Sequence, residues 1–427
     1  MIAKQLVEKA MKKAHGAQAS LSLSESVDVS YESDRLKSAE SSQRTDMSIR
    51  VIVDGKVGFS HTTDINDVDG VVSRALELAE FGSPAHYQFP SPKDGTDVNV
   101  YDRAILGITK DEMVTIGEEM IALVKEYKPE ILLYAGVSKS SRKGEFANSN
   151  GVEYEDESTI FSASVYGEWI RGTDILSAGH GLGWRKRGID HIEIARKAIE
   201  LFKMAEKIAR IKSGDMPVIF TPEGMYTLLL SLEMGFNGKN VYLGSSPLAG
   251  KLGEKIADEK LTIIDNPLID YAPNSSKYDA EGVPHQITPL IEKGVAKNFL
   301  YDLDTAGRAG ATTTGHGTGC GPTNIVIETG DTSYEGMLKN TKNGLLVHNV
   351  MGLGQGNPIS GEFSVNVQLG YRIQNGEIIG RVKDVMLAGN TYDAIKDIVA
   401  IGDKAEWVGG SLLTPHIQIG RLSVVAQ

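Results

Sequence analysis

The sequence predicts an α+β protein in which helix-and-strand units come first and a mostly β, glycine-rich domain comes last. Three observations carry this reading. Helical and alternating patterns take turns through the first 212 residues. Beyond about residue 255, amphipathic stripes give way to short strand-like runs between glycine-rich turns. The chain's 427 residues also exceed what one ordinary core holds. The expected organisation is an N-terminal α+β region over 1–212, with units at about 1–81 and 100–212, and a β-rich C-terminal domain over 213–427.

The elements follow in order. Ile2, Leu6, Val7, Ala10 and Met11 make a helical stripe that stops at Gly16. Alternation at 19–23 and 27–31 reads as strand, and Ile49 to Phe59 reads as a hairpin turning at Asp54-Gly55. Asp64 to Phe81 is a second amphipathic helix, and the Pro-, Ser- and Gly-rich stretch 82–105 is a connector. Thr109 is a plausible N-cap for a helix to Tyr127, with Asp111 and Glu112 in its first turn. Ile131 to Lys143, Gly151 to Tyr154 and Ser158 to Trp169 read as strands, and Asp190 to Ile211 as a long helix closed by Gly214. The two units share an order of helices and strands, but no sequence repeat is strong enough to mark a duplication.

Met216 to Phe220 is a short buried-type strand, after which Pro222 opens a helix to about Met234. Strand-like runs follow at 261–264, 324–328, 344–350, 363–373 and 416–424. Asn375-Gly376 is a strong hairpin signal. These runs predict one folded-over sheet or barrel-like body.

Composition narrows the function. A net charge of −12 disfavours binding nucleic acid by phosphate neutralisation, and the densest basic run, Trp184 to Arg187, is short. A single cysteine, Cys320, rules out an intrachain disulfide. The first residues alternate charged and apolar groups without a signal-like apolar run, and no run approaches the ~20 apolar residues needed to cross a bilayer. The expectation is a cytoplasmic protein with no membrane contact.

Generic motifs are absent: no GxGxxG on a strand-to-helix turn, P-loop, GxSxG, CxxC or HExxH. The run Gly315 to Gly321 is the most unusual. His316 and Cys320 could ligate a soft metal or form a nucleophilic pair, or they could be a loop histidine and a buried thiol. Asp279, Asp302, Asp304 and Arg308 read as a carboxylate–arginine pair holding a loop, with acid–base catalysis as the alternative. His348, between Val347 and Asn349, reads as a core or groove histidine. His285 and His416 lie near prolines and carry little signal.

Several segments together resemble the TldD/PmbA family, also called modulators of DNA gyrase. They are Tyr301 to Gly310, Pro322 to Gly330, Gly344 to Val347 with Met351-Gly352, Gly361 to Ser364, Gly370 to Ile378, and Ala388 to Asn390. The resemblance spans essentially the whole chain and is most specific over 300–400. It implies a relation to zinc metalloproteases whose active branch binds the metal through an HExxxH helix and a C-terminal cysteine. Here Thr227 to Gly238 holds the helix's place, with Leu229 and Met234 at the histidine positions and Leu230 at that of the base. Val408 to Pro415 stands where the cysteine loop belongs and has no cysteine.

The resemblance is therefore to the PmbA/TldE branch. It implies a silent chain with no cofactor of its own, and zinc in a TldD-like partner. It also implies a closed chamber that processes extended or unfolded peptides, as in maturation of a peptide antibiotic or removal of a labile antitoxin. A peptide could add as a strand in the C-terminal domain, with Leu345, Val347, His348 and Asn349 as the expected groove. The competing readings are an autonomous hydrolase at His316/Cys320 and a non-enzymatic homodimeric scaffold. The lone chain could form a homodimer under any of the three.

Overall fold

The computed structural model describes residues 1–426. Its N-terminal region begins with α1 (Ile2–Ala10), β1 (Gly16–Glu32), β2 (Arg35–Val53), β3 (Lys56–Thr62) and α2 (Val68–Ala79). After the short α3 (Arg103–Leu106) come α4 (Lys110–Tyr127), β4 (Leu132–Asn148), β5 (Glu153–Arg171), β6 (Asp174–Trp184) and α5 (His191–Met204). Each unit thus runs helix, three strands, helix. The units share one antiparallel sheet in the order β3-β2-β1-β4-β5-β6, joined at the middle from Gln18 opposite Asn148 to Tyr31 opposite Ala135.

The period-two alternation of strands gives the sheet two unlike faces. One carries Leu21, Val29, Met47, Ile49, Leu133, Val137 and Val165, which pack in cores shared with the helices. The other has no helix and is a field of serines. Across it Ser20 pairs with Ser48, Ser26 with Ser42, Ser30 with Ser38 and Ser138 with Ser162, all at 2.7–2.9 Å. This face meets the C-terminal domain at both ends. At one end Gln18 donates to the Ala280 carbonyl and Arg50 pairs with Glu281. At the other, Tyr134 and Tyr166 share a pocket with Glu223 and His348.

Thr109 caps α4 as expected, donating no bond but accepting one from the Glu112 N–H. Two expectations need correction. The strand runs at 151–154 and 158–169 are one strand, β5, because its pairing with β4 continues unbroken from Glu153 to Glu168. The helix expected to Ile211 ends at Met204. The following segment instead exchanges backbone hydrogen bonds with a distant strand, Ala209 to the Arg381 carbonyl and Arg381 to the Lys207 carbonyl.

The C-terminal domain begins with β7 (Gly214–Phe220), a 3-10 turn at Glu223–Met225, α6 (Tyr226–Phe236) and α7 (Gly238–Tyr242). Next come β8 (Ile263–Asp265), β9 (Thr288–Glu292), β10 (Val295–Ala296), α8 (Leu303–Ala309), β11 (Ile325–Ile327), α9 (Tyr334–Lys339) and β12 (Asn343–Met351). The chain ends with β13 (Glu362–Gln374), β14 (Glu377–Arg381), β15 (Val385–Asn390), α10 (Thr391–Ala394), β16 (Ile398–Val408) and β17 (Leu412–Ala426). Strands β7, β12, β13, β15 and β17 close a ring, because β17 also pairs with β7. The body is barrel-like as expected, with β13–β14 turning at Asn375-Gly376.

Alternation along β7 and β12 ties the two halves together. Val218, Phe220, Leu345 and Val347 pack with α6 in the C-terminal core. Ile219 and Leu346, with Leu369, Tyr371 and Ile373 of β13, join the core beneath the N-terminal sheet. The Tyr371 hydroxyl completes the seam by donating to the Leu201 carbonyl at 3.2 Å. No helix of the described residues is long and apolar enough to cross a membrane.

Candidate functional site

Helix α6 and the turn at 408–411 meet in space although the residues that join them are 182 apart in sequence. The Tyr226 hydroxyl, in the first turn of α6, donates to the Val408 carbonyl at 3.2 Å. A Cβ on Gly409 would lie 2.1 Å from that hydroxyl, so only glycine fits there. The segments that resemble the ligand-bearing segments of the active branch are thus together, but they carry no zinc donor set. Leu229 is 2% exposed in the C-terminal core. Leu230 is half-buried beside Gly354, and Met234 is half-buried. Alkyl groups and one thioether offer zinc neither imidazole, carboxylate nor thiolate. The nearest acid on the helix is Glu233, pushed up to about 7 by burial and then by the negative charge of Asp265. Among the described residues, no three His, Cys, Asp or Glu side chains come close enough to hold a metal ion.

His316 and Cys320 are structural. The buried His316 ring has both nitrogens engaged, Nε2 with Asp265 at 2.8 Å and Nδ1 with Thr314 at 2.9 Å. Asp265 also accepts from the Thr323 N–H and hydroxyl. Cys320 is fully buried, its sulfur accepting from the Asp302 N–H at 3.3 Å, and burial pushes its thiol up. A buried thiol held in this way is inert, and the histidine has no free nitrogen for a base or ligand role. The alternative site at this pair is not assembled. Arg308 and Asp304 form the expected ion pair at 2.7 Å, and Asp302 caps α8. Asp279 is pushed up to about 6 by burial, yet it accepts three backbone N–H groups and so serves its loop.

The expected groove at 345–349 also needs correction. Leu345 and Val347 are fully buried, and β12 is hydrogen-bonded there on both sides, by β7 and by β13. No edge is open at those residues. His348 is the extra residue of a bulge in β12, its Nδ1 on the Thr221 hydroxyl at 3.1 Å. Such bulges re-aim side chains. Asn349 is exposed.

The open edge beside this bulge belongs to β6, the outermost strand of the N-terminal sheet, which pairs only with β5. Residues Ser177 to Gly179 of β6, Tyr166 of β5 and Tyr134 of β4 form one wall of a 170 Å³ pocket. Glu223, His348, Asn349 and Gln368 form the other. Burial pushes the Glu223 carboxyl up. The sequence held a signal for this edge: Gly179, Gly181 and Gly183 alternate along the strand. The first two are required because a Cβ there would strike Tyr166 and Ser164 of β5. The space over these two glycines is taken by the β5 side chains, while the outer backbone edge of β6 stays unpaired.

Comparison with known proteins agrees with this architecture. Sequence models of the PmbA/TldA metallopeptidase domains match in chain order, domain 1 over 17–79, the central domain over 103–211 and the C-terminal domain over 213–426. An uncharacterized protein of Methanocaldococcus jannaschii is 32% identical over 394 residues, covering 87% of each chain. The metalloprotease PmbA of Escherichia coli O157:H7 is 27% identical, covering 97% of this chain and 94% of its own. The crystal structure of TldE from Thermococcus kodakarensis superposes with a TM-score of 0.90 over 100% of both chains at 24% identity, a likeness of fold. The matched domains and the full-length relatives place this chain in the metallopeptidase-related PmbA/TldD family.

Proposed function

We propose that the chain is a catalytically silent, PmbA/TldE-like subunit of a TldD-type zinc metallopeptidase complex in the cytoplasm. The observation that carries this reading is the junction of α6 with the 408–411 turn. Both segments are in place, yet they present Leu229, Leu230, Met234 and the Tyr226 hydroxyl instead of metal donors. The chain itself holds no zinc; the metal and the activated water belong to a TldD-like partner.

This chain's role is to bind and align extended peptide. Its open β6 edge offers main-chain hydrogen bonds, which recognise any unfolded sequence and no folded one. The adjoining serine face is polar and mostly uncharged, so it passes a chain without retaining it. Direct nucleic-acid binding is not part of the role, given the net charge of −12. Without its partner the chain forms a homodimer.

The test is zinc content and peptidase activity of the chain alone and mixed with a TldD-like protein of the same organism. The reading requires no zinc and no cleavage alone, and enhanced or altered cleavage in the mixture. Stoichiometric zinc and activity in the isolated chain would overturn it. So would an unchanged partner activity on mixing.

A further inference from the structure

A second cavity, of about 430 Å³, opens at the seam between α5, the β6 edge and the barrel. That volume falls within the range of small-ligand sites. Its walls are mainly apolar, with Leu346 and Tyr371 at the base and Met204 and the Tyr334 ring at the sides. Three histidines from three different strands face it: His180 of β6, His348 at the β12 bulge and His416 of β17. No protein group among the described residues hydrogen-bonds either ring nitrogen of His180 or His416. His348 uses only Nδ1. These ring nitrogens are accessible from the cavity and free to bond whatever enters it.

The chemistry of the occupant follows from these groups. Burial holds His180 and His348 down to about 4, so at neutral pH each ring is uncharged and offers one donor and one acceptor. The cations and anions at the mouth include Lys197, whose ammonium is already paired with Glu406. Glu200, Lys203 and Glu223, also on the lining, form no ion pair among the described residues and carry both signs, so the mouth selects neither a cation nor an anion. His416 lies against Tyr334 with ring centroids 4.4 Å apart and the planes tilted by 32°, so aromatic rings line the site.

We propose that this cavity receives one aromatic side chain that carries a hydrogen-bonding group, of the tyrosine or tryptophan type, from an extended peptide lying along the β6 edge. The cavity lies beside that edge and shares Glu223 and His348 with the smaller pocket. The proposal rests on the peptide-binding reading above and adds a side-chain preference to it.

The test uses the lone full-length chain and dissociation constants from ligand-observed NMR. N-acetyl-tyrosinamide is expected to bind at least tenfold tighter than N-acetyl-alaninamide. A capped Gly-Gly-Tyr-Gly-Gly peptide is expected to bind a further tenfold tighter than the single amide. Met204→Trp, which fills the cavity from its half-buried side, should abolish that preference at an unchanged melting temperature. His416→Phe keeps the ring contact with Tyr334 but removes the ring nitrogens. It should weaken the tyrosine amide about fivefold and leave N-acetyl-phenylalaninamide unchanged, a split that a purely structural role would not produce.

Equal binding of the alanine and tyrosine amides, or a preference that survives Met204→Trp, would overturn the proposal. Equal binding of the pentapeptide and the amide would overturn its peptide source. None of these results depends on a partner subunit. Failure here with enhanced cleavage in the mixed complex would leave the silent-subunit reading standing.

Discussion

Leu229 shows at the scale of one residue how the fold uses a position that the family resemblance assigns to a metal ligand. It packs in the C-terminal core at 2% exposure. Leu229→His with Met234→His would bury an imidazole without a partner, at a cost of about 1–3 kcal/mol. The expected outcome is a lower melting temperature by calorimetry and no stoichiometric zinc by elemental analysis, because no third donor stands nearby. Titration gives a second expectation. His180 and His348 ionise near 4 in the fold against about 6.5 when unfolded, chiefly through burial. The unfolded chain then binds more protons, so their contribution to stability is complete above about pH 6.5 and is lost as pH falls towards 4. Glu233 has the opposite sign. Its pKa is raised from 4.5 to about 7, so its contribution is present below 4.5 and lost as pH rises through 7. Melting temperature against pH should rise through the acid range and flatten near neutrality. Glu233→Gln should remove the loss on its alkaline side. The absence of histidine or acid at 229, 230 and 234 was legible in the sequence because it is a matter of identity. The partners of His316 were not, since Asp265 lies 51 residues away and joins it only through the fold.

Among the elements, β6 is the one whose importance the sequence understated. Its glycines resemble turn signals until the pairing with β5 is known. Because N–H groups alternate between the two sides of a strand, Leu182→Pro and Gly183→Pro should behave differently. One removes a ladder bond to β5 and should lower the melting temperature markedly. The other faces the open edge and should leave the melting temperature unchanged while weakening binding of a fluorescent unfolded peptide. Equal behaviour of the two in peptide binding would count against strand addition at this edge. Amphipathic helices and hairpins were readable because their signals are local, as at Thr109 and Asn375-Gly376. The end of α5 was not, because Lys207 and Ala209 leave the helix for the backbone of Arg381. The expected groove at Leu345 and Val347 failed for a related reason. A buried strand and an edge strand share the same alternation, and only the neighbours distinguish them.

For the whole molecule, the decisive contacts cross the seam between the halves. Asp174, where β6 begins, accepts from Arg171 and from the buried Arg381 of β14, and these two hold its carboxyl below the usual range against the effect of burial. Asp174→Ala would strand Arg381 and should cost about 3–5 kcal/mol, readable by denaturant unfolding. The core under the N-terminal sheet takes Leu346, Leu369, Tyr371 and Ile373 from the barrel, so calorimetry of the full chain should show one endotherm. Closure of the ring by β17 on β7, like the meeting of β1 with β4, joins segments more than a hundred residues apart, and no local pattern announces it. The serine face has one more consequence. Along β1, serine and apolar residues alternate so regularly that sliding the strand by one position would exchange its two surfaces. Leu21 and Val29 would then face outward, and Ser20, Ser22 and Ser30 would face the helices. Deleting a single residue between Ser22 and Val27 should therefore do more harm than replacing any one of those serines, because the polar face also serves as the ruler that sets the central strand's alignment.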